Sequence, residues 1–224
     1  MGTLSLVGTP IGNLGDITLR ALQVLKDADV IACEDTRVSS KLLARYDIQK
    51  PLVVFHAQSS QRASDRILGL LAEGKHVALV TDAGTPGISD PGAELVRQAR
   101  TRLPDARIEA IPGPSAVTAA LSIAGVMGND FLFLGFLPHK KGRQTIFKEI
   151  ADAERTVIFY ESPHRIVKTL DALAKVLDPN RRVMVARELT KIHESFVEGA
   201  PAEVAEHFDA HPSEVRGEFV VIVA

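Results

Sequence analysis

Three stretches set acids, histidines and arginines close together where strand-like runs end. They are "CEDTR" with Glu34, Asp35 and Arg37, "ESPHR" with Glu161, His164 and Arg165, and "RELTKIHES" with Arg187, Glu188, Lys191, His193 and Glu194. Carboxylates and imidazoles in such places can accept a proton, and the planar donor fork of arginine suits phosphate. Each residue also has a plainer use. His164 fits a helix start where it bonds a free amide, Glu34 and Asp35 fit a solvated loop, and each arginine fits an ion pair with a neighbouring carboxylate. The histidines stand at no spacing suited to zinc or non-haem iron, so no metal held by protein alone is expected.

A second kind of chemistry is written in glycine and proline. "LVGTPIGNLGD", from Leu6 to Asp16, has Gly8, Gly12 and Gly15 in a G-x3-G-x2-G spacing. That is neither the dinucleotide fingerprint nor a P-loop, since no Gly-Lys-Ser/Thr follows, so a nucleotide phosphate is not the natural ligand. "TDAGTPGISDPG" (Thr81 to Gly92) and "IPGPSA" (Ile111 to Ala116) also lie just past strand-like runs. Open α/β sheets bind ligands at the carboxyl ends of their strands, and glycine lets backbone amides and carbonyls reach a ligand with no Cβ in the way. Three such loops predict a crevice; the competing reading is three turns that only need positive φ.

The elements behind these loops alternate. "TLSLVG", "DVIAC", "LVVFH", "HVALVT" and "RIEAIPG" are short apolar runs, most of them separated by helix-period segments, the rhythm of a mainly parallel sheet. The first helix is expected to start at Asp16 as N-cap and to turn Leu19, Leu22 and Leu25 inward. After "AIPGPSAVTAALSIAG" come "FLFLGFLP", "TVIFYES", "RVMVARE" and "GEFVVIVA", with the helix pattern "RIVKTLDALAKVL" among them. Two prolines around Gly113 cannot feed a central strand. The expected organisation is therefore two α/β domains, residues 1–113 and 114–224, with mainly parallel or mixed sheets. The final "FVVIVA" stops inside a strand, so the sequence reads as part of something longer.

With 224 residues and 46% hydrophobic side chains there is material for real cores. No apolar run approaches the roughly 20 residues that cross a bilayer, and no signal peptide is evident, which predicts a cytoplasmic protein. A single Cys33 excludes an internal disulfide and is expected to be a buried small hydrophobe. The net charge of −2 offers no general attraction to nucleic acid, so any such contact must come from a local patch. "PHKKGRQ" (Pro138 to Gln144), with His139, Lys140, Lys141 and Arg143 in what reads as an exposed loop, is the best candidate for RNA backbone contact, or else a solvated turn. Arg181 and Arg182 are weaker candidates.

Taken together, "VGTPIGNLGDITLRAL", "ACEDTR", "DAGTPGISDPG", "PGPSA", "YESPHR" and "RELTK" resemble, in order and over essentially the whole chain, the bacterial family of small-subunit ribosomal RNA methyltransferases I within the tetrapyrrole methylase superfamily. The resemblance implies a class III methyltransferase fold, S-adenosylmethionine folded into a cleft between the two domains, a homodimer, and methylation of a cytidine ribose 2′-hydroxyl in 16S rRNA of the small ribosomal subunit. By the same likeness, Pro10, Ile11 and Gly12 line one wall of the cofactor site, Asp82, Gly84, Thr85 and Ile88 another, and Ser115 and Ala116 a third, with Tyr160 and Gly217 added from the second domain. Glu34, Asp35, Arg37, Glu161, His164, Arg165, Arg187 and Glu188 become the candidates for proton transfer and substrate orientation.

Two rivals stay open at this stage. One is a tetrapyrrole C-methyltransferase on the same fold, against which stands "TPIGN" where a Gly-Pro-Gly-Asp pattern would be expected. The other is a non-catalytic module that binds S-adenosylmethionine or RNA, for which a glycine-lined crevice facing potential acids and bases would be unneeded.

Overall fold

The computed structural model describes residues 1–56 and 61–224. The chain divides into two compact units, Met1–Ser115 and Ala116–Ala224.

The first unit runs β1 (Thr3–Val7), α1 (Leu19–Asp27), β2 (Val30–Cys33), α2 (Thr36–Arg45), β3 (Leu52–Val54), α3 (Gln61–Ala72), β4 (His76–Leu79), α4 (Gly92–Arg102) and β5 (Arg107–Ile111). Its five strands form one parallel sheet in the order β3-β2-β4-β1-β5. Helices cover both faces, which is why the central strands read as continuous apolar runs. Val7, Leu25, Ile31, Ala78 and Ile111 share one core, while Leu4, Leu68, Leu71, Val77 and Leu95 share the other. Because β1 lies between β4 and β5, the loops that follow these three strands leave the sheet side by side.

The first helix does not start at Asp16. Asn13 accepts the Gly15 amide at 3.0 Å and closes a separate single turn over Leu14–Asp16. Ile17 then returns to an extended conformation, and Thr18 becomes the cap, its hydroxyl accepting from the Ala21 amide at 3.0 Å. Within the helix Ala21 and Leu25, four residues apart, share the buried face, Leu22 is half-buried, and Leu19, its first residue, is 86% exposed rather than turned inward.

The second unit runs α5 (Ala116–Ile123), β6 (Phe131–Phe136), α6 (Arg143–Asp152), β7 (Thr156–Glu161), α7 (Ile166–Val176), β8 (Val183–Arg187), β9 (Ser195–Gly199), α8 (Pro201–Ala210) and β10 (Phe219–Val223). The sheet order is β6-β7-β10-β8-β9, with β6 parallel to β7 and the other pairs antiparallel. Phe147, Phe159, Leu170, Phe208 and Val221 lie in its core. One all-parallel sheet and one mixed sheet agree with the expected α/β class. Among the described residues no helix is long and apolar enough to cross a membrane.

Candidate active site

In the first unit the glycine loops after β1, β4 and β5 are tied to one another by main chain. Thr9 and Gly84 exchange amide hydrogen bonds of 2.9 and 3.1 Å, and the buried Thr9 hydroxyl donates to the Thr81 carbonyl at 3.1 Å. Gly84 holds φ at +83°, a conformation that glycine adopts without penalty. The Thr85 hydroxyl reaches the Pro114 carbonyl at 3.5 Å, which links the second loop to the third. Pro10, Ile11 and Gly12 follow the Thr9 clamp, and the Ile11 side chain lies against the Gly84 position. Asp90 braces the long loop by accepting from the Gly87 amide at 2.7 Å and the Gly92 amide at 2.8 Å. Ile88, 60% exposed, projects beside a cavity of about 600 Å³ that Phe55, Gln61, Ser64 and Gln98 also bound. Ser115 closes the first unit, and Ala116 is the first residue of α5. None of the three loops carries Lys, Arg or His.

An acidic group adjoins them. Asp35 caps α2 by accepting the Arg37 amide at 2.8 Å and pairs with the Arg37 guanidinium at 2.6 Å. The hydrogen bond from that guanidinium holds the Asp35 carboxyl down at about 2. Its own amide donates to Asp82 Oδ1 at 3.2 Å. Burial pushes the Asp82 carboxyl upward, the Asp35 amide works against that shift, and the Asp35 charge adds to it. Glu34 accepts from the Thr81 hydroxyl, so it is held to the same loop. The residues that a sequence reading does not find here are Thr9 and Thr81, ordinary strand-end threonines until the loops are folded.

In the second unit the charged motifs have different fates. Glu161, fully buried at the end of β7, pairs with Arg165 at 2.7 Å and Arg143 at 3.6 Å, and it accepts from the Thr169 hydroxyl at 2.7 Å. Arg143 also bonds Thr169 Oγ1 and the Pro138 carbonyl, while Arg165 bonds the Leu137 carbonyl at 2.8 Å. This corrects the reading of "PHKKGRQ" as one exposed basic loop: Arg143 opens α6 with its side chain only 16% exposed, held inward by a buried carboxylate. Lys140 and Lys141 stay exposed. His164 is exposed in the turn before α7, whose N-cap is Arg165.

Arg187 is buried at the end of β8, where its guanidinium donates to the Arg216 carbonyl at 2.8 Å and the His193 carbonyl at 3.0 Å. Those bonds hold the β8–β9 turn. Glu188 and Thr190 sit there at φ of +51° and +68°, and Glu194 accepts the Thr190 amide at 2.5 Å. Lys191 bridges Glu188 at 2.7 Å and Glu218 at 2.9 Å. Burial works to raise the Glu188 carboxyl, but the Lys191 hydrogen bond and the Glu218 amide prevail and hold it below its ordinary value. Gly217, at φ +87°, has the Glu188 carboxyl where a Cβ would stand. Tyr160 packs edge-on to Phe133 at 5.0 Å, and burial raises its phenol. Arg181 donates to the carbonyls of Ala224 and Ala153, and Arg182 pairs with Glu198 at 2.7 Å, so neither is a free cation for phosphate.

This geometry has known relatives. Residues 3–205 match the family described as Tetrapyrrole (Corrin/Porphyrin) Methylases. A Ribosomal RNA small subunit methyltransferase I from Neisseria meningitidis serogroup B is 47% identical over 225 residues, which cover 99% of this chain and 76% of that protein. Its namesake from Thermotoga maritima is 43% identical, covering 100% and 99%. Among solved structures, the methyltransferase CobJ superposes with a TM-score of 0.73 at 22% identity, covering 100% of this chain and 94% of that one. A Thermus thermophilus uroporphyrin-III C-methyl transferase complexed with S-adenyl homocysteine gives 0.69 at 20% identity, covering 100% and 97%. These two structures share the fold.

Proposed function

The chain belongs to the tetrapyrrole methylase family and is an S-adenosylmethionine-dependent ribosomal RNA methyltransferase, and from that premise we propose that its product is a 2′-O-methylated cytidine of 16S rRNA. The observation that carries the RNA reading is identity of 43–47%, over nearly the whole chain, to relatives that bear that name, since the fold alone is shared with enzymes named for tetrapyrrole substrates. The test is to incubate the protein with methyl-labelled S-adenosylmethionine and unmethylated small ribosomal subunits, then map the label to nucleotide and atom. Label on a cytidine ribose supports the proposal. Label on a base, or methylation of uroporphyrinogen in place of RNA, overturns it.

The donor set of the glycine loops fits S-adenosylmethionine. They offer backbone amides and carbonyls, the Thr85 hydroxyl and the Asp82 carboxylate, with no basic side chain, as suits a ligand that bears a sulfonium cation and no phosphate. Bound there, S-adenosylmethionine supplies an electrophilic methyl group. Gly84 and Ile11 shape its seat, and the Thr9–Gly84 clamp keeps two loops in register so that the seat is formed before the ligand arrives. Among the candidate acids and bases, Glu161 is enclosed by two arginines and Glu188 is bound by Lys191, so both act as props. His164 is exposed and is the residue we assign to receive the proton of the ribose hydroxyl, while the Asp35 amide, next to that residue's own pair with Arg37, holds Asp82.

A further inference from the structure

A cationic surface distinct from the "HKKG" loop lies on two helices of the first unit. α3 and α4 run side by side over one face of the parallel sheet. Gln61 bonds Gln98 at 3.1 Å, and one turn further on Asp65 pairs with Arg102 at 2.6 Å. The matching four-residue steps on both helices keep them alongside each other for at least that turn. Their buried residues are Ser64, Ile67, Leu68 and Leu71 on one helix and Gly92, Leu95 and Ala99 on the other. What remains outside is arginine: Arg62, Arg66, Arg97, Arg100 and Arg102 are all exposed.

Five arginines against Asp65 and Glu94 give this helix pair a net of +3 on a chain whose total is −2. The two carboxylates are already engaged, Asp65 with Arg102 and Glu94 with Arg97 at 2.6 Å. Among the described residues, none of Arg62, Arg66 and Arg100 has a carboxylate within ion-pair distance. Three guanidiniums without a carboxylate partner on an otherwise acidic protein are a poor arrangement for stability, because like charges on one surface repel. They are a good arrangement for phosphate, which arginine grips with two parallel donors. A cavity of about 600 Å³ is bounded by Gln61 and Ser64 at the start of α3 and by Gln98 of α4, together with Ile88 and Asp90 of the second glycine loop. A strand of phosphates lying along α3 and α4 would thus pass directly by the loop to which the methyl donor is assigned.

We propose that the exposed α3–α4 face, through Arg62, Arg66 and Arg100, is the surface that grips the phosphate backbone of the small-subunit RNA. This rests on the ribosomal RNA reading above and adds to it where the RNA is held. Arginines on the backbone position a substrate without reading its sequence. The choice of nucleotide is then left to the crevice.

The test is the salt dependence of binding. The affinity of the protein for unmethylated small subunits is measured between 50 and 200 mM KCl for the wild type, for R62Q/R66Q/R100Q and for R62K/R66K/R100K. Each lost phosphate contact should flatten the plot of log K against log salt by roughly 0.7–0.9, so the glutamine variant should lose about 2–3 in slope and about tenfold or more in affinity at low salt. The lysine variant should keep most of the slope. Affinity for S-adenosylmethionine, read by calorimetry, should be the same in all three proteins, which also reports that they are folded. A glutamine variant whose slope equals that of the wild type overturns the proposal, as does a slope lost instead on K140A/K141A. If the wild type binds anionic vesicles containing phosphatidylserine through these arginines and the RNA slope is unchanged, the face belongs to a membrane and the proposal is wrong. A wild type that neither binds nor methylates subunits removes the ribosomal RNA reading itself, which is a different outcome from methylation that ignores the three arginines.

Discussion

Gly8 and Gly113 touch backbone to backbone: a Cβ on Gly8 would stand 2.8 Å from the Gly113 nitrogen and Cα, and one on Gly113 would stand 2.8 Å from the Gly8 carbonyl oxygen. The Gly8 amide also donates to the Ile111 carbonyl at 2.9 Å. The first and third glycine loops are therefore set at a separation that only two glycines allow. Gly113→Ala should force the loops apart and cost about 1–3 kcal/mol, the usual price of overpacking a tight contact. Urea denaturation measures it, and calorimetry should show weaker S-adenosylmethionine binding in the same variant. Unchanged stability together with unchanged binding would show that the loops tolerate separation and would remove this contact from the account of the site.

The buried cluster around Glu161 predicts a larger loss. Glu161→Ala leaves Arg143 and Arg165, each only about one-sixth exposed, without the charge that offsets their burial. Removing one partner of a buried ion pair costs about 3–5 kcal/mol. Thr169→Val, which deletes the hydroxyl's hydrogen bond to the same carboxylate and the one it accepts from Arg143, should cost about 1.5–3 kcal/mol. Comparable, small losses for both variants would mean that water reaches the pair.

These two sites differ in how far the sequence announced them. Three glycine-rich stretches at strand ends pointed to neighbouring loops because their spacing needs no tertiary information. The strand order then brought them together. The Glu161 cluster was hidden, since Arg143 looks like a surface charge in "PHKKGRQ" and Thr169 sits inside an ordinary helix pattern. Only the packing of α6 and α7 beside β7 reveals that both face one carboxylate. β9 carries no sequence signal, because "SFVEG" is a short edge strand with two apolar side chains, too little pattern for a period of two. The helix start moved from Asp16 to Thr18 because Asn13 competes for the preceding turn, a local choice that two good capping residues in one stretch leave open.

The Asp35–Arg37 pair carries a pH signature. Its folded carboxyl titrates at about 2, below the ordinary 3.8 of aspartate, so its contribution to the α2 cap is complete above that ordinary value and is lost as the pH falls through about 2. Carboxyl-carbon NMR should place the Asp35 midpoint near the lower value, and Arg37→Ala should move it back toward 3.8 because the largest cause of the shift is the guanidinium hydrogen bond. A wild-type midpoint already at the ordinary value would mean that the pair dissolves in solution.

If His164 receives the ribose proton, His164→Gln should lower kcat on small subunits by about 10²–10⁴, the span typical of a general base, and leave the KM for S-adenosylmethionine unchanged. Asp82→Asn should act the other way, raising that KM more than it lowers kcat, because Asp82 belongs to the glycine loops. A His164 variant within tenfold of the wild-type kcat would return that histidine to the role of an exposed turn residue.

The homodimer that the family resemblance implies can be tested at one strand. Among the described residues β6 is an edge strand of its sheet, bonded to β7 alone, and its register shifts between Phe133 and Phe136, where Gly135 takes φ +62°. Such a bulge re-aims the next side chain, and Phe136 is 59% exposed with its ring 5.3 Å from that of Tyr160. In the preceding segment Met127 is 80% exposed and Ile123 48% exposed. An uncovered edge that also carries large apolar side chains invites pairing with another chain, and a protein that must stay in solution covers it. A second copy of this chain is the cover implied by the family likeness. The wild type should sediment at twice 24.2 kDa at micromolar concentration, and Met127→Asp combined with Phe136→Asp should shift it to monomer without unfolding either core, since neither residue belongs to the buried clusters. A wild type that is monomeric at that concentration, or a doubly charged variant that stays dimeric, would show that this edge is not where two copies meet.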